Sequence, residues 1–229
     1  MIALATVLEA PPRRRPVVRR RNGHLPPPPP PSGGDGGPER DPEPRRPILD
    51  NARLATLFLI GGEIMFFGGL VAAFFVLRIG APVWPPPLQP RLPVGVTGLN
   101  TLVLLSSSVV MLGAVRALAR NETRALTRRL ASAGMLGLLF VAVQGYEWTR
   151  LVQFGLTLSS GPYGATFYTL IGVHGVHVLG ALVWLTAVLV LASRGRYTGG
   201  RGAAVKACAM YWHFIVGLWP ILYVAVYLL

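Results

Sequence analysis

Five long apolar blocks constrain the fold more than any other feature of this chain. They cover residues 54–77, 94–118, 130–152, 163–192 and 203–229. Each block is long enough to cross about 30 Å of hydrocarbon as an α-helix, which rises about 1.5 Å per residue. Helices are required because lipid offers the backbone amide groups no hydrogen-bond partner. We therefore predict an all-α, polytopic membrane bundle of five transmembrane helices, formed by residues 51–229.

The first 50 residues have a different composition, rich in proline, arginine and glycine. Residues 26–31 are all proline, and glycines follow at positions 33, 34, 36 and 37. Proline has no backbone N–H to donate, and the segment has little apolar surface to bury. We predict that residues 1–50 form a disordered tail with a polyproline II stretch, which serves either as a tether or as a binding segment for a partner of the proline run.

Basic residues alternate between the two sides of the predicted bundle. The tail, the second connection and the fourth connection carry most of them, whereas the first and third connections carry few and the C-terminus carries none. Because basic loops stay in the cytoplasm, this pattern predicts a cytoplasmic N-terminus and an external C-terminus in a bacterial cell membrane. The net charge of +13 lies in the tail and between the apolar blocks, so we do not expect nucleic acid as a partner.

Glu63 is the only ionisable residue within the first apolar block, residues 54–77. A carboxyl group at that depth costs on the order of 2.5–3.5 kcal/mol on insertion scales. Such a group is tolerated if it faces protein or water, is protonated, or has a task. Glu63 is therefore predicted to act in function or to make a structural hydrogen bond while protonated.

Three polar residues fall at similar predicted depths in the membrane. Counting about 1.5 Å per residue places Glu63 and His213 roughly 13 and 10 Å from the inner side, and His177 roughly 21 Å from the outer side. These depths suggest a cluster of Glu63, His177 and His213. His174 precedes His177 by three residues and shares its helical face. A metal site needs three or four donors, so packed, hydrogen-bonded histidines are the favoured interpretation.

Glu147 lies near the outer end of the third block, three residues before Arg150. This spacing places both side chains on one helical face, which predicts an ion pair. Gln144 lies one turn deeper on the same side as Glu147. Glycines lie on both sides of Glu63 and around the histidines of the fourth block, and small residues let helices approach closely in lipid. These glycines are predicted to be packing residues: Gly61, Gly62, Gly68, Gly69, Gly172, Gly175 and Gly180.

Four sequence runs carry a resemblance to a known family. They are GEIMFFGG at 62–69, QGYEW at 144–148, GATFY and GVHGVHV within 164–178, and YWHF at 211–214. In these runs and in their order the chain resembles cytochrome c oxidase subunit III of the haem-copper oxidases. The number of predicted helices is similar to that of the short, five-helix bacterial form.

The resemblance implies a non-catalytic subunit of a proton-translocating terminal oxidase in aerobic respiratory electron transport. It implies direct packing on subunit I, a complex with subunit II and other oxidase subunits, bound phospholipid, and support of proton uptake and oxygen access. Haems and copper are expected in the partner subunits, and no cofactor, metal or catalytic residue is expected in this chain. The signature positions that the resemblance assigns are Glu63, Glu147, His174, His177, Trp212 and His213.

The sequence also departs from the family, and it leaves other interpretations open. An acidic residue often follows the YWHF run in the family, whereas residues 215–217 are apolar here, so a role of that residue does not transfer. Pro220 is predicted to kink the last helix. Two alternatives remain: a subunit III-like protein associated with nitric oxide reductase, and a proton-coupled transporter that uses Glu63. The electron donor, cytochrome c or quinol, also stays open.

Overall fold

The computed structural model describes residues 50–87, 89–90, 92–197 and 202–229, and these ranges contain five helices and no strand. The helices are α1 Asn51–Gly80, α2 Val94–Ala119, α3 Thr123–Gln153, α4 Pro162–Ser193 and α5 Ala203–Tyr223. All five helical segments are long and apolar enough to cross a membrane. The predicted all-α, five-helix membrane fold is therefore confirmed, whereas the predicted disordered tail lies outside the described residues.

Local sequence signals set several helix ends. Asp50 caps α1 by accepting a hydrogen bond from the backbone N–H of Arg53 at 3.0 Å. Gly161 takes a positive φ of 90° just before Pro162 begins α4, because glycine adopts this conformation without strain and proline suits the first helical position. The third apolar block was predicted to begin at residue 130, but α3 begins at Thr123. The additional turns carry arginines and remain helical outside the apolar stretch.

The four helices α2 to α5 form the core of the bundle, and α1 lies at its side. The packing of α2 on α3 is the most extensive, whereas α1 packs on α5 and, over a smaller area, on α4. Most of the α1 surface is exposed in the isolated chain. The largest fully buried side chains are aromatic: Trp212, Trp219, Phe67, Phe140 and Phe167.

Two tryptophans of α5 fasten this helix to α2. The indole N–H of Trp212 donates to Ser107 Oγ at 3.1 Å, and that of Trp219 donates to Thr101 Oγ1 at 2.8 Å. Buried indole N–H groups need such partners, and hydrogen bonds between helices contribute to association in lipid. Helix α5 continues through Pro220 to Tyr223, and a π-helical turn, Val224–Leu228, follows.

The glycines that permit close packing are mostly not the predicted ones. A Cβ added at Gly137 of α3 would lie 2.6 Å from Trp212 Cη2, and one at Gly202 would lie 2.6 Å from Leu118 Cδ2. Gly172 and Gly175 face Trp148 at ordinary contact distances of 3.8 and 3.5 Å. The other predicted packing glycines have open space where a side chain would be: Gly61, Gly62, Gly68, Gly69 and Gly180. At these five positions the structure shows no close packing within the chain, and packing against another chain stays a prediction.

Candidate functional site

A carboxyl group and an imidazole meet between α1 and α4. Glu63 Oε2 lies 3.2 Å from His177 Nε2, and the two side chains are 12% and 23% exposed. Oε2 is screened from solvent and accepts no hydrogen bond of regular geometry in the described residues. His177 Nε2 is thus the polar neighbour of this oxygen. The structure brings together two of the three residues in the predicted cluster.

The hydrogen bond made by Nδ1, the second ring nitrogen of His177, places one proton on this side chain. His177 Nδ1 lies 2.7 Å from the backbone carbonyl oxygen of Val173. A carbonyl oxygen only accepts, so Nδ1 carries a hydrogen. Without a further proton, two lone pairs would face each other across the contact between Nε2 and Oε2. One further proton, on either Nε2 or Oε2, removes this repulsion, and in both arrangements the Glu63–His177 pair has no net charge.

Aromatic rings surround the Glu63–His177 pair. The Phe67 ring centroid lies 5.2 Å from that of His177 in an edge-on arrangement, and the Phe66 centroid lies 6.1 Å away. Phe67 is fully buried. Electrostatic interactions are stronger in such an apolar environment than in water, and an unpaired charge is more costly there. The aromatic surroundings therefore disfavour a net charge on the pair.

His213 does not join the pair, contrary to the predicted cluster. Its Nδ1 lies 2.5 Å from Ser108 Oγ on α2, and it makes no ion-pair contact with Glu63 within the described ranges. Ser107 and Ser108 of α2 thus bind Trp212 and His213, two adjacent residues of α5. These serines were not among the predicted site residues. Residues 106–108 are three consecutive serines in an apolar block, and this pattern could have indicated hydrogen bonds to another helix.

His174 is packed rather than hydrogen-bonded. It is 1% exposed, and its ring stacks on that of Trp219 with centroids 5.1 Å apart and an interplanar angle of 27°. Neither ring nitrogen has a hydrogen-bond partner among the described residues. The prediction of a packed histidine is confirmed, whereas the predicted hydrogen bonding is wrong.

Glu147 and Arg150 do not form the predicted ion pair. Glu147 is buried in the bundle, whereas Arg150 is exposed, and its guanidinium carbon lies 5.9 Å from the Phe154 ring centroid. Burial of Glu147 and exposure of Arg150 separate the two groups despite their spacing. Gln144 lies on the buried side with Glu147, as predicted, and its amide donates to the Tyr227 hydroxyl at 3.1 Å.

The described side chains do not form a metal-binding set. No group of three or more His, Cys, Asp or Glu residues converges in the part of the chain that the structure describes. The Glu63–His177 pair offers two donors, fewer than the three or four that a protein metal site uses. The chemistry that this arrangement supports is the holding of a proton.

Together, fold and site define a polytopic helical membrane protein with a half-buried carboxyl–imidazole pair between two of its helices. The sequence profile described as "Cytochrome c oxidase subunit III" matches residues 46–229. The chain belongs to the cytochrome c oxidase subunit III family. This confirms the resemblance carried by the four sequence runs, and it makes the chain a membrane-spanning subunit of an oxidase complex in the respiratory chain.

Individual relatives support the same assignment. The chain is 35% identical over 176 residues to a probable cytochrome c oxidase subunit 3 of Nocardia farcinica, covering 76% of this chain and 86% of the relative. It is 34% identical over 175 residues to the cytochrome c oxidase subunit 3 of Synechocystis, covering 76% and 73%. It is 33% identical over 188 residues to the subunit 3 of Pan troglodytes, covering 79% and 70%.

Proposed function

We propose that this chain is a non-catalytic subunit that packs on the catalytic subunit I of a haem-copper oxidase and supports its proton uptake, oxygen access and lipid binding. The observation that carries the proposal is the Glu63–His177 contact of 3.2 Å within the region that matches the family. This pair provides proton chemistry without a redox group. Haems and copper then belong to partner subunits, and the bacterial cell membrane holds the complex with the N-terminus of this chain in the cytoplasm.

The proton role follows from the charge of the pair. Moving the shared proton between Nε2 and Oε2 leaves the net charge at zero, so the move needs no compensating charge nearby. Gain or loss of a proton would create a net charge in apolar surroundings, which is costly unless another proton or ion compensates. The pair is therefore suited to keep one proton in reserve and to release it only when a neighbouring group supplies another.

The open face of α1 is the surface on which we expect another subunit to pack. Gly61 and Gly68, seven residues apart, lie on one face of α1, and neither meets an atom of this chain where a side chain would be. Met65 lies between them and is exposed. Small residues in lipid mark places where a second helix can approach closely, which supports α1 as a contact with subunit I.

Purification of the tagged chain tests the proposal directly. A C-terminal tag and mild detergent extraction should recover a large multi-helix partner, haem absorbance and copper, because these groups belong to the associated subunits. Haem with non-haem iron and without copper would instead favour association with a nitric oxide reductase. A colourless, stable, solitary protein would contradict the proposal, and proton transport by that protein in vesicles would favour a transporter.

Bulky residues on the α1 face should weaken assembly. We expect the double substitution Gly61→Leu and Gly68→Leu to lower the haem recovered per tagged chain by roughly ten-fold, because the added side chains keep a partner helix at a distance. The matched control is Gly180→Leu on α4, where an added Cβ likewise meets no atom of this chain within 4 Å. Equal haem recovery from both variants would exclude α1 as the contact surface.

A further inference from the structure

A basic groove lies between the N-terminal end of α3 and the C-terminal end of α4. Its volume is about 440 Å³. From α3, Thr123, Arg124, Thr127 and Arg128 line it, and from α4, Ser193 contributes a hydroxyl group. The groove thus combines two guanidinium groups with three hydroxyl groups. The hydroxyl groups of Thr127 and Ser193 donate to the backbone carbonyls of Thr123 and Val190, so the donors that remain are the two guanidinium groups and the Thr123 hydroxyl. Guanidinium groups suit a phosphate group, whose oxygens accept several hydrogen bonds.

No carboxylate in the described part of the chain lines this groove, although Glu122 immediately precedes Thr123, the first residue of α3 that lines it. Four exposed arginines lie in or beside it: Arg124, Arg128, Arg194 and Arg196. Among the described residues, the contact between arginine and a carboxylate is that of Arg120 with Glu122, at 4.0 Å. The N-terminus of α3 also lacks a side-chain cap, so its free backbone amides add to the positive potential.

The groove continues into an apolar surface on the same face of α3. Ala131, three residues after Arg128, lines the groove. Met135 and Leu138 follow at helical spacing, and they are 66% and 51% exposed. A ligand seated here would meet guanidinium and hydroxyl groups at one end and apolar side chains along its length. That sequence of surfaces fits an amphipathic anion.

We propose that this groove binds the headgroup of an anionic phospholipid from the leaflet in which α3 begins, with an acyl chain along Ala131, Met135 and Leu138. The inference rests on the lipid role proposed above and names a place and a lipid class for it. Basic pockets between transmembrane helices at the cytoplasmic side bind such headgroups, and the positive-inside pattern predicts that α3 begins on that side. An acidic protein surface would match the arginines but would not need the apolar continuation.

A lipid-binding measurement on the intact complex tests this site. The complex is stripped of lipid in detergent and titrated with phosphatidylglycerol, with phosphatidylcholine and with inorganic phosphate, and the bound phosphorus is counted. The test variant is Arg124→Gln with Arg128→Gln, and the control is Arg150→Gln at the opposite end of α3. A second variant, Arg194→Gln with Arg196→Gln, changes the α4 side of the groove.

We expect the double variant of α3 to bind phosphatidylglycerol roughly 30-fold more weakly, the loss usual for two basic residues near an anionic membrane surface. The α4 variant should also bind it more weakly. The Arg150→Gln control should bind like the unchanged complex, and phosphatidylcholine binding should not differ among the proteins. Inorganic phosphate should not displace the lipid, because it lacks the apolar contacts.

Three results would overturn the lipid site. The first is equal phosphatidylglycerol binding by all proteins. The second is displacement by inorganic phosphate, which would indicate a free-anion site. The third is loss of a protein subunit from the α3 double variant with unchanged lipid binding, which would indicate an acidic partner surface. A haem-containing complex with any of these results leaves the proposed oxidase role intact, whereas a colourless preparation contradicts that role independently.

Discussion

Replacing Gly137 by alanine is expected to lower the thermal midpoint of the protein by roughly 5–10 °C, the range that an overpacked core predicts. A Cβ at this position would lie 2.6 Å from Cη2 and 3.0 Å from Cζ2 of Trp212. The indole cannot move away easily, because it is 1% exposed and its N–H is bound to Ser107. The added methyl group must therefore separate α3 from α5.

A glycine one turn away provides the control for this substitution. A Cβ at Gly134 would lie 3.6 Å from Leu185 Cδ2, an ordinary contact distance. We expect Gly134→Ala to leave the thermal midpoint nearly unchanged, although it makes the same chemical change in the same helix. Light scattering or intrinsic fluorescence during heating of the detergent-solubilised protein gives both midpoints. Equal midpoints for the two variants would show that the close approach of Trp212 to Gly137 does not limit stability.

The five spans could be predicted because length and polarity suffice to identify them. An apolar run of more than about 20 residues has few stable alternatives to a membrane helix. The beginning of α3 could not be predicted in this way, because residues 123–129 include charged groups and lie before the apolar run. Residues 123–129 stay helical because their backbone hydrogen bonds continue, and the polarity of the side chains does not predict this.

Depth along a helix could be predicted better than direction around it. The constant rise per residue placed Glu63 and His177 at one level, and these two side chains meet at 3.2 Å. The same count placed His213 nearby, but its ring is directed to Ser108 on another helix. The predicted ion pair between Glu147 and Arg150 was wrong for a similar reason. Their spacing is correct for a contact, yet burial of Glu147 and exposure of Arg150 keep them apart.

The second large effect concerns the Glu63–His177 pair itself. Replacing His177 by leucine leaves Oε2 of Glu63 without a polar neighbour among the described residues. Leaving a partly buried polar group without a partner typically costs about 1–3 kcal/mol. We therefore expect His177→Leu and Glu63→Leu each to destabilise the protein, and the double leucine variant to be more stable than the His177→Leu variant. Equilibrium unfolding of the four proteins gives the coupling energy, which should be about 1–3 kcal/mol.

The control for this double-mutant cycle, which combines His177→Leu with Glu63→Leu, replaces the neighbouring histidine, His174. His174 lies one turn before His177 on α4, is packed against Trp219 and makes no ion pair with Glu63. The effects of His174→Leu and Glu63→Leu should therefore add without coupling. Additive effects in both cycles would show that the Glu63–His177 contact does not stabilise the fold.

Glu63→Gln separates a proton role from a structural one. The glutamine amide N–H can donate a hydrogen bond to His177 Nε2, and Nδ1 of the same ring remains bound to the Val173 carbonyl. Assembly and haem content should therefore be unchanged. An amide cannot release a proton at neutral pH, so if the pair supplies protons, the complex should lose activity progressively during sustained turnover. Oxygen consumption followed over many turnovers measures this loss, and Glu63→Leu should in addition weaken assembly because it removes the polar contact with His177. Undiminished activity of the Glu63→Gln complex over the same number of turnovers would exclude the proton role and leave this contact as a structural link between α1 and α4.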